Sequence, residues 1–302
     1  MVILEFYKGP IMNGERFYHL DFMKMCLMFI VMASHSIEVA NDDWFRLGIV
    51  NISALKCVSE WFSTFHVQGF TMVSGYLFFY LYVEQEKYSD IKRFIRNKFK
   101  RLLIPYVFVS CVWIIPINAT LFHMGIKDVI HSFVFMENPS QLWFLIMLFG
   151  VFLIARYMAE YPQYHPVKTI VILGGGYFIG ILGDRLFLNI FQIWTILQYL
   201  PFFYLGYYTR CLHSRYDIEK HWSLYLWVDI LIFLIYKVYI QDQSGFIMFA
   251  LYIVWGFLIN VVGCLMVFAC IGKIGKWVMS KWGGIFVLCG AEHGYLSCAQ
   301  SI

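Results

Sequence analysis

Residues 16–36, from Arg16 to Ser36, read RFYHLDFMKMCLMFIVMASHS. The middle of this stretch, Met25 to Ala33, is an unbroken apolar run, yet Asp21, Lys24 and His35 lie on either side of it. Wound as a helix, Lys24 and His35 stand three turns apart, within about 20° of one another and roughly 16 Å apart along the axis. Asp21 precedes Lys24 by three residues and joins the same stripe. Ionisable groups are costly on a helix long enough to cross a bilayer. Their default place is a protein interior or a water-filled cavity, where they have a task.

The rest of the chain has the same character. Of its 302 residues, 61% are hydrophobic, 20% aromatic and only 14% charged, and the mean hydropathy is +0.67. A soluble fold of this length could not bury so much apolar surface. The composition therefore predicts an all-α, polytopic membrane helix bundle of about eight to ten transmembrane helices. Eight cysteines form no C-x-x-C pair and show no metal-ligand spacing, and most sit in apolar segments as small hydrophobes. His123 and His131 lack a third ligand, so no metal site is expected. The first fifteen residues show no cleavage-type pattern, so the first apolar helix reads as a retained span.

Eight spans are expected, at residues 20–40, 54–83, 102–117, 141–158, 168–183, 187–208, 222–240 and 246–271. The second is longer than a bilayer needs and should tilt or break, at Gly69, Ser74 or Gly75. Seven Lys or Arg crowd the stretch from Lys87 to Arg101, ahead of a third span with Pro105 in its first turn. With the N-terminus in the cytoplasm, seventeen Lys or Arg fall inside: Lys8, Arg16, those seven, Arg156, Lys168, Arg210, Arg215, Lys220, Lys273, Lys276 and Lys281. Only four, Arg46, Lys56, Lys127 and Arg185, fall outside, which favours that orientation. After Lys276 the apolar core shrinks to Ile285–Cys289, too short to span. The chain accordingly divides into a membrane domain, 1–276, and an atypical tail, 277–302.

Several stretches together resemble one family. The first helix, with ten residues between Lys24 and His35, is similar to the signature first helix of the family-3 membrane acyltransferases. FHVQGFTMVSGYLFF (Phe65–Phe79) resembles that family's second-helix signature, and RFIRNKFKRLLIPYVFVS (Arg93–Ser110) its basic helix entering the third span through Pro-Tyr. QLWFLIMLFGVFLI (Gln141–Ile154) and LPFFYLGYY (Leu200–Tyr208) look like two later spans of the family. Two departures stand out. Lys24 replaces the commoner Arg with the charge kept, and the tail loses a Ser-containing helix and a further span, as a truncated or frame-shifted end would.

The resemblance implies an integral membrane enzyme. Such an enzyme moves an acyl group, usually acetyl from acetyl-CoA, onto a hydroxyl of an envelope carbohydrate: lipopolysaccharide, capsule or exopolysaccharide. Acetyl-CoA would be a donor substrate, with no permanently bound cofactor. The acceptor would be an envelope polysaccharide or lipid-linked sugar, and the place the cytoplasmic (inner) membrane, amid its lipids. O-acetylation needs a base for the sugar hydroxyl, and the His35 imidazole suits it. The competing reading is a histidine that packs or caps. Lys24 would contact a CoA phosphate or the carbonyl oxygen as it gains charge, or else snorkel to the interface with Asp21. On the basic helix, Arg93, Arg96 and Arg101 suit CoA phosphates because their donors are forked. The same run also serves as a positive-inside determinant and a lipid contact. It is too short and too close to a membrane for nucleic acid. His66, Ser74 and Glu38 are candidates for acceptor binding. Ser74 beside Gly75 equally suits close helix packing, and Glu38 could instead orient His35. The alternative from another class is a non-catalytic exporter or flippase of a glycan or lipid intermediate, with the polar stripe as its path.

Overall fold

The computed structural model describes residues 18–40, 52–86, 88–121, 123–137, 139–213, 216–240 and 246–298. The lead-in, the first polar loop, and Lys8, Arg16, Arg46, Lys87 and Arg215 of the charge distribution lie outside the described residues. Every described element is helical: α1 (Tyr18–Ala40), α2 (Ser53–Ser63), α3 (His66–Phe79), α4 (Ile91–Val109), α5 (Ile115–Leu121), α6 (Ile126–Val129), α7 (Trp143–Tyr157), α8 (Tyr161–Tyr164), α9 (Pro166–Leu186), α10 (Ile193–His213), α11 (Trp222–Tyr239) and α12 (Phe246–Cys298). Short π and 3-10 turns join several of them.

Among the described residues, six helical stretches are long and apolar enough to cross a membrane: Leu20–Ala40, Ile91–Thr120, Ser140–Tyr157, Pro166–Leu186, Ile218–Tyr239 and Met248–Val278. This makes an all-α polytopic bundle, and the second and sixth of the eight expected spans are not among these six. The second expected span is two helices, and it breaks at Thr64–Phe65 rather than at a glycine. Ser63 Oγ donates to the Ser59 carbonyl at 2.9 Å, and Thr64 Oγ1 donates to that of Trp61 at 2.7 Å. These side chains compete with the backbone for the last carbonyls of α2, which is how Ser and Thr end helices. The sixth expected span, α10, begins at Ile193 and carries Gln198, Pro201 and Arg210 among its apolar residues. Pro105 also moves: α4 starts at Ile91, capped by the Asp90 carboxylate on the Arg93 amide (3.1 Å). The basic run is therefore the opening of the spanning helix itself, and Pro105 lies in its interior. α12 runs unbroken past residue 276 to Cys298.

The chain forms two compact units. The first holds 70–215 and 244–257, with α4 and α10 packed on α7 and α9 packed on α10. Its centre is Phe78, whose ring lies 5.5–6.0 Å from those of Phe203, Tyr88, Phe94, Tyr82 and Phe152. Such aromatic pairs contribute about 0.5–1.5 kcal/mol each beyond the area they bury. Small residues let α3 and α10 touch backbone to backbone. A Cβ on Gly75 would fall 1.9 Å from the Phe203 carbonyl oxygen, and one on Gly206 would fall 2.1 Å from that of Met72. This is the close-approach use of glycine familiar from membrane helices.

The second unit holds 12–69, 216–243 and 258–302. Here α1 packs on α2, with Ser34 meeting Ser59, and its buried side is a stripe of Leu20, Met23, Leu27 and Ser34, all fully buried. Their spacing keeps them on one side of the helix, while Met25, Met28, Phe29 and Met32 point outward. Gly69 fits against Leu27, where an added Cβ would lie 3.2 Å from its side chain.

Candidate active site

Near the C-terminal end of α1 the apolar stripe gives way to polar groups. Ser34 is buried and shares a 2.9 Å hydrogen bond with Ser59 on α2. Both hydroxyls also lie within 3.5 Å of Glu38 Oε1. The other oxygen of that carboxylate, Oε2, lies 3.1 Å from His35 Nδ1. A carboxylate can only accept, so the hydrogen of this bond sits on Nδ1 and the lone pair of the neutral ring on Nε2. A carboxylate behind an imidazole fixes tautomer and orientation together and stabilises the ring once it takes a proton.

His66 opens α3 and faces this pair. Its ring centre is 6.4 Å from that of His35, with the planes nearly perpendicular at 86°. His66 Nδ1 is 2.7 Å from the Phe62 carbonyl, again an acceptor, so the His66 lone pair is also on Nε2. The break between α2 and α3 makes this possible, because it leaves the Phe62 carbonyl at a helix end, ready to receive a side chain. His35, Glu38 and His66 thus come together, with Ser34 and Ser59 holding the carboxylate. The two serines carried no sequence signal of their own beyond their place on the polar end of each helix.

Lys24 shares the His35 side of α1, on the flank of the buried stripe. Its ammonium is 3.8 Å from Asp21, and 37% of its side chain is exposed. That geometry suits a loose ion pair worth about 0–1 kcal/mol. Ser74 lies half-buried in the middle of α3, next to the Gly75 contact with α10, where its surroundings are those of helix packing.

Two further polar links in the second unit join α2 to α11. Glu60 pairs with Lys237. Trp61 Nε1 donates to Asp229 Oδ2 at 2.7 Å, and Asp229 is fully buried. Trp61 also packs edge-on to Phe65, the residue before His66, at 5.4 Å. Asp229 escaped the sequence reading, although the rule that singled out Lys24 applies equally to an acid in the middle of a span.

The first unit carries the basic helix. Arg93, Arg96 and Arg101 are exposed along the opening turns of α4, with Lys92 and Lys100. Lys98 instead turns inward, its ammonium 3.5 Å from the centre of the Phe152 ring. The exposed arginines offer forked donors to anionic groups.

The model of the acyltransferase domain family matches residues 17–291, from the first apolar helix well into α12. Neither the curated proteins nor the solved structures searched gave a match. The matched region takes in α1 with Lys24 and His35, the basic opening of α4, and the α3 and α10 signatures. The chain belongs to the family-3 acyltransferases, which are membrane acyltransferases.

Proposed function

We propose that this chain moves acetyl from acetyl-CoA to a hydroxyl of an envelope carbohydrate, in the cytoplasmic membrane with its N-terminus inside. The observation that carries the reading is the Glu38–His35 pair on α1, at 3.1 Å, within an acyltransferase family. In the reaction the His35 Nε2 lone pair takes the proton of the acceptor hydroxyl as its oxygen attacks the thioester carbonyl. The carbon–sulfur bond breaks, an oxygen ester forms, and the proton passes from His35 to the departing sulfur, giving CoA as a thiol. Glu38 keeps the proton on Nδ1 before the attack and stabilises the imidazolium after it.

Lys24 stands three turns below His35 on the same helix, so an extended pantetheine arm would follow α1 from one to the other across roughly 16 Å. The ammonium then meets a phosphate or the carbonyl oxygen as charge develops on it. Arg93, Arg96 and Arg101 receive the anionic nucleotide end of the donor. His66 and the outer end of α1 serve the acceptor sugar. The orientation draws support from the first unit. The last turns of α7 and α10 and the opening turns of α4 carry Arg156, Arg210, Arg93, Arg96 and Arg101, whereas Arg185 closes α9 and Lys127 lies in the short α6.

The test is transfer of label from acetyl-CoA supplied on the cytoplasmic side of membrane vesicles. The reading expects labelled O-acetyl esters on glycan with the intact chain and none above background with His35→Ala. Full transfer by His35→Ala would dismiss it.

A further inference from the structure

At one end of the first unit is a cavity of about 410 Å³, lined by Tyr82, Arg156, Glu160, Tyr161, Tyr164 and His165 among others. The turn after α3, the last turn of α7, α8 and the approach to α9 build it together. Its floor is fixed by hydrogen bonds. Tyr82 donates to Glu160 Oε1 at 2.9 Å. Arg156 lies over the Tyr82 ring at 4.9 Å and donates through Nε to the Tyr88 carbonyl at 3.1 Å. A longer contact, 3.4 Å, runs from its Nη2 to the Ser89 carbonyl. Tyr161 and His165 form one aromatic wall, their ring centres 5.0 Å apart.

The charges of the cavity choose its occupant. One cation, two of its donors committed to backbone carbonyls, faces one carboxylate, so the cavity has no net positive charge to offer a phosphate. It does offer aromatic surface and a carboxylate acceptor, which suit a flat, neutral ring bearing an amino group. Its volume is of the size that small-molecule sites use. The phosphate-binding character lies at its border instead. Tyr88, whose carbonyl Arg156 holds, packs against Phe94 of the basic helix at 4.8 Å. Burial pushes the Tyr88 phenol up, against the nearby charge of Arg101, which pulls it down. A neutral aromatic cavity beside a row of exposed arginines matches a molecule with a base at one end and phosphates next to it.

We propose that this cavity holds the adenine ring of an acyl-CoA, with Glu160 accepting from the 6-amino group, Tyr161 and His165 walling the ring, and the phosphates lying toward α4. The assignment rests on the acyl-CoA donor argued above, and it adds the place and the chemistry of base recognition.

Calorimetric titration of the full chain in detergent tests it with CoA, with 1,N6-etheno-CoA and with 4′-phosphopantetheine. The etheno bridge removes both amino hydrogens, so the intact chain should bind etheno-CoA at least tenfold more weakly than CoA. Glu160→Gln should narrow that difference severalfold. Tyr161→Ala should weaken CoA at least tenfold more than it weakens 4′-phosphopantetheine, a ratio that general misfolding would leave unchanged. The comparison on the unmutated chain needs no variant to fold. Equal affinity for CoA and etheno-CoA, with Tyr161→Ala indifferent, would overturn the cavity assignment and leave the donor reading standing. An aromatic shelf that only meets lipid headgroups would give that result. No binding of CoA at all would remove both.

Discussion

Replacing Glu38 with Gln tests the pair at the centre of the site without removing the base. The carboxylate lies 3.1 Å from His35 Nδ1 and is held by Ser34 and Ser59, so Gln can occupy the same space. What it removes is the negative charge behind a ring that becomes an imidazolium during the reaction. Hydrogen bonds to charged groups are worth about 1.5–3 kcal/mol. The His35 and Glu38 side chains are 37% and 23% exposed, which screens the charge, and the Gln carbonyl still accepts a hydrogen bond. The lower part of that range therefore applies, and at 1.36 kcal/mol per decade kcat should fall about tenfold to thirtyfold. The assay is initial-rate acetyl transfer from acetyl-CoA in vesicles carrying equal amounts of each protein. Because Glu38 acts only through His35, adding Glu38→Gln to a His35→Ala protein should change nothing further. A Glu38→Gln protein with unchanged kcat, or one whose loss adds fully to that of His35→Ala, would refute the account of this pair.

Charge removal on the basic helix should act on binding instead. Changing Arg93, Arg96 and Arg101 together to Gln should raise the KM for acetyl-CoA by at least tenfold with little change in kcat, and the KM should depend less on salt than before, as kinetics across ionic strengths would show. Packing predictions concern stability. Gly75→Ala places a methyl 1.9 Å from the Phe203 carbonyl, a contact that backbone cannot relieve cheaply, so α3 and α10 must separate. The folded yield in detergent, read by size-exclusion chromatography, should collapse, whereas Ser74→Ala should leave it near normal. Asp229→Ala strips the Trp61 indole of its acceptor, at a cost of about 1–3 kcal/mol. Thermal unfolding in detergent should fall accordingly, and Asp229→Asn, which keeps an acceptor, should fall less.

The bundle was legible because apolar runs of membrane length have few other uses. The His35 face was legible because eleven residues make just over three whole turns. The break at Thr64–Phe65 was not, since Ser63 and Thr64 resemble the polar residues of any helix until their hydroxyls are seen bonded to the preceding turn. Gly69 and Gly75 suggested a break there and instead lie inside α3, where they let the Leu27 side chain and the α10 backbone come close. Pro105 was placed in a first turn because the charged run before it reads as interfacial, although Asp90 starts one helix that includes both. Glu38 stood near His35 in sequence, but its role depends on Ser59, twenty-one residues further on. The cavity around Tyr82 and Glu160 draws on residues 78 apart with no motif between them, so spacing alone could not reveal it.

The most direct measurement is the O-acetyl content of surface glycans from cells lacking the chain and from cells carrying it intact or with His35→Ala at equal membrane abundance. The account predicts O-acetyl esters with the intact chain only. Equal O-acetyl content in the intact and His35→Ala strains, both above the strain lacking the chain, would contradict it.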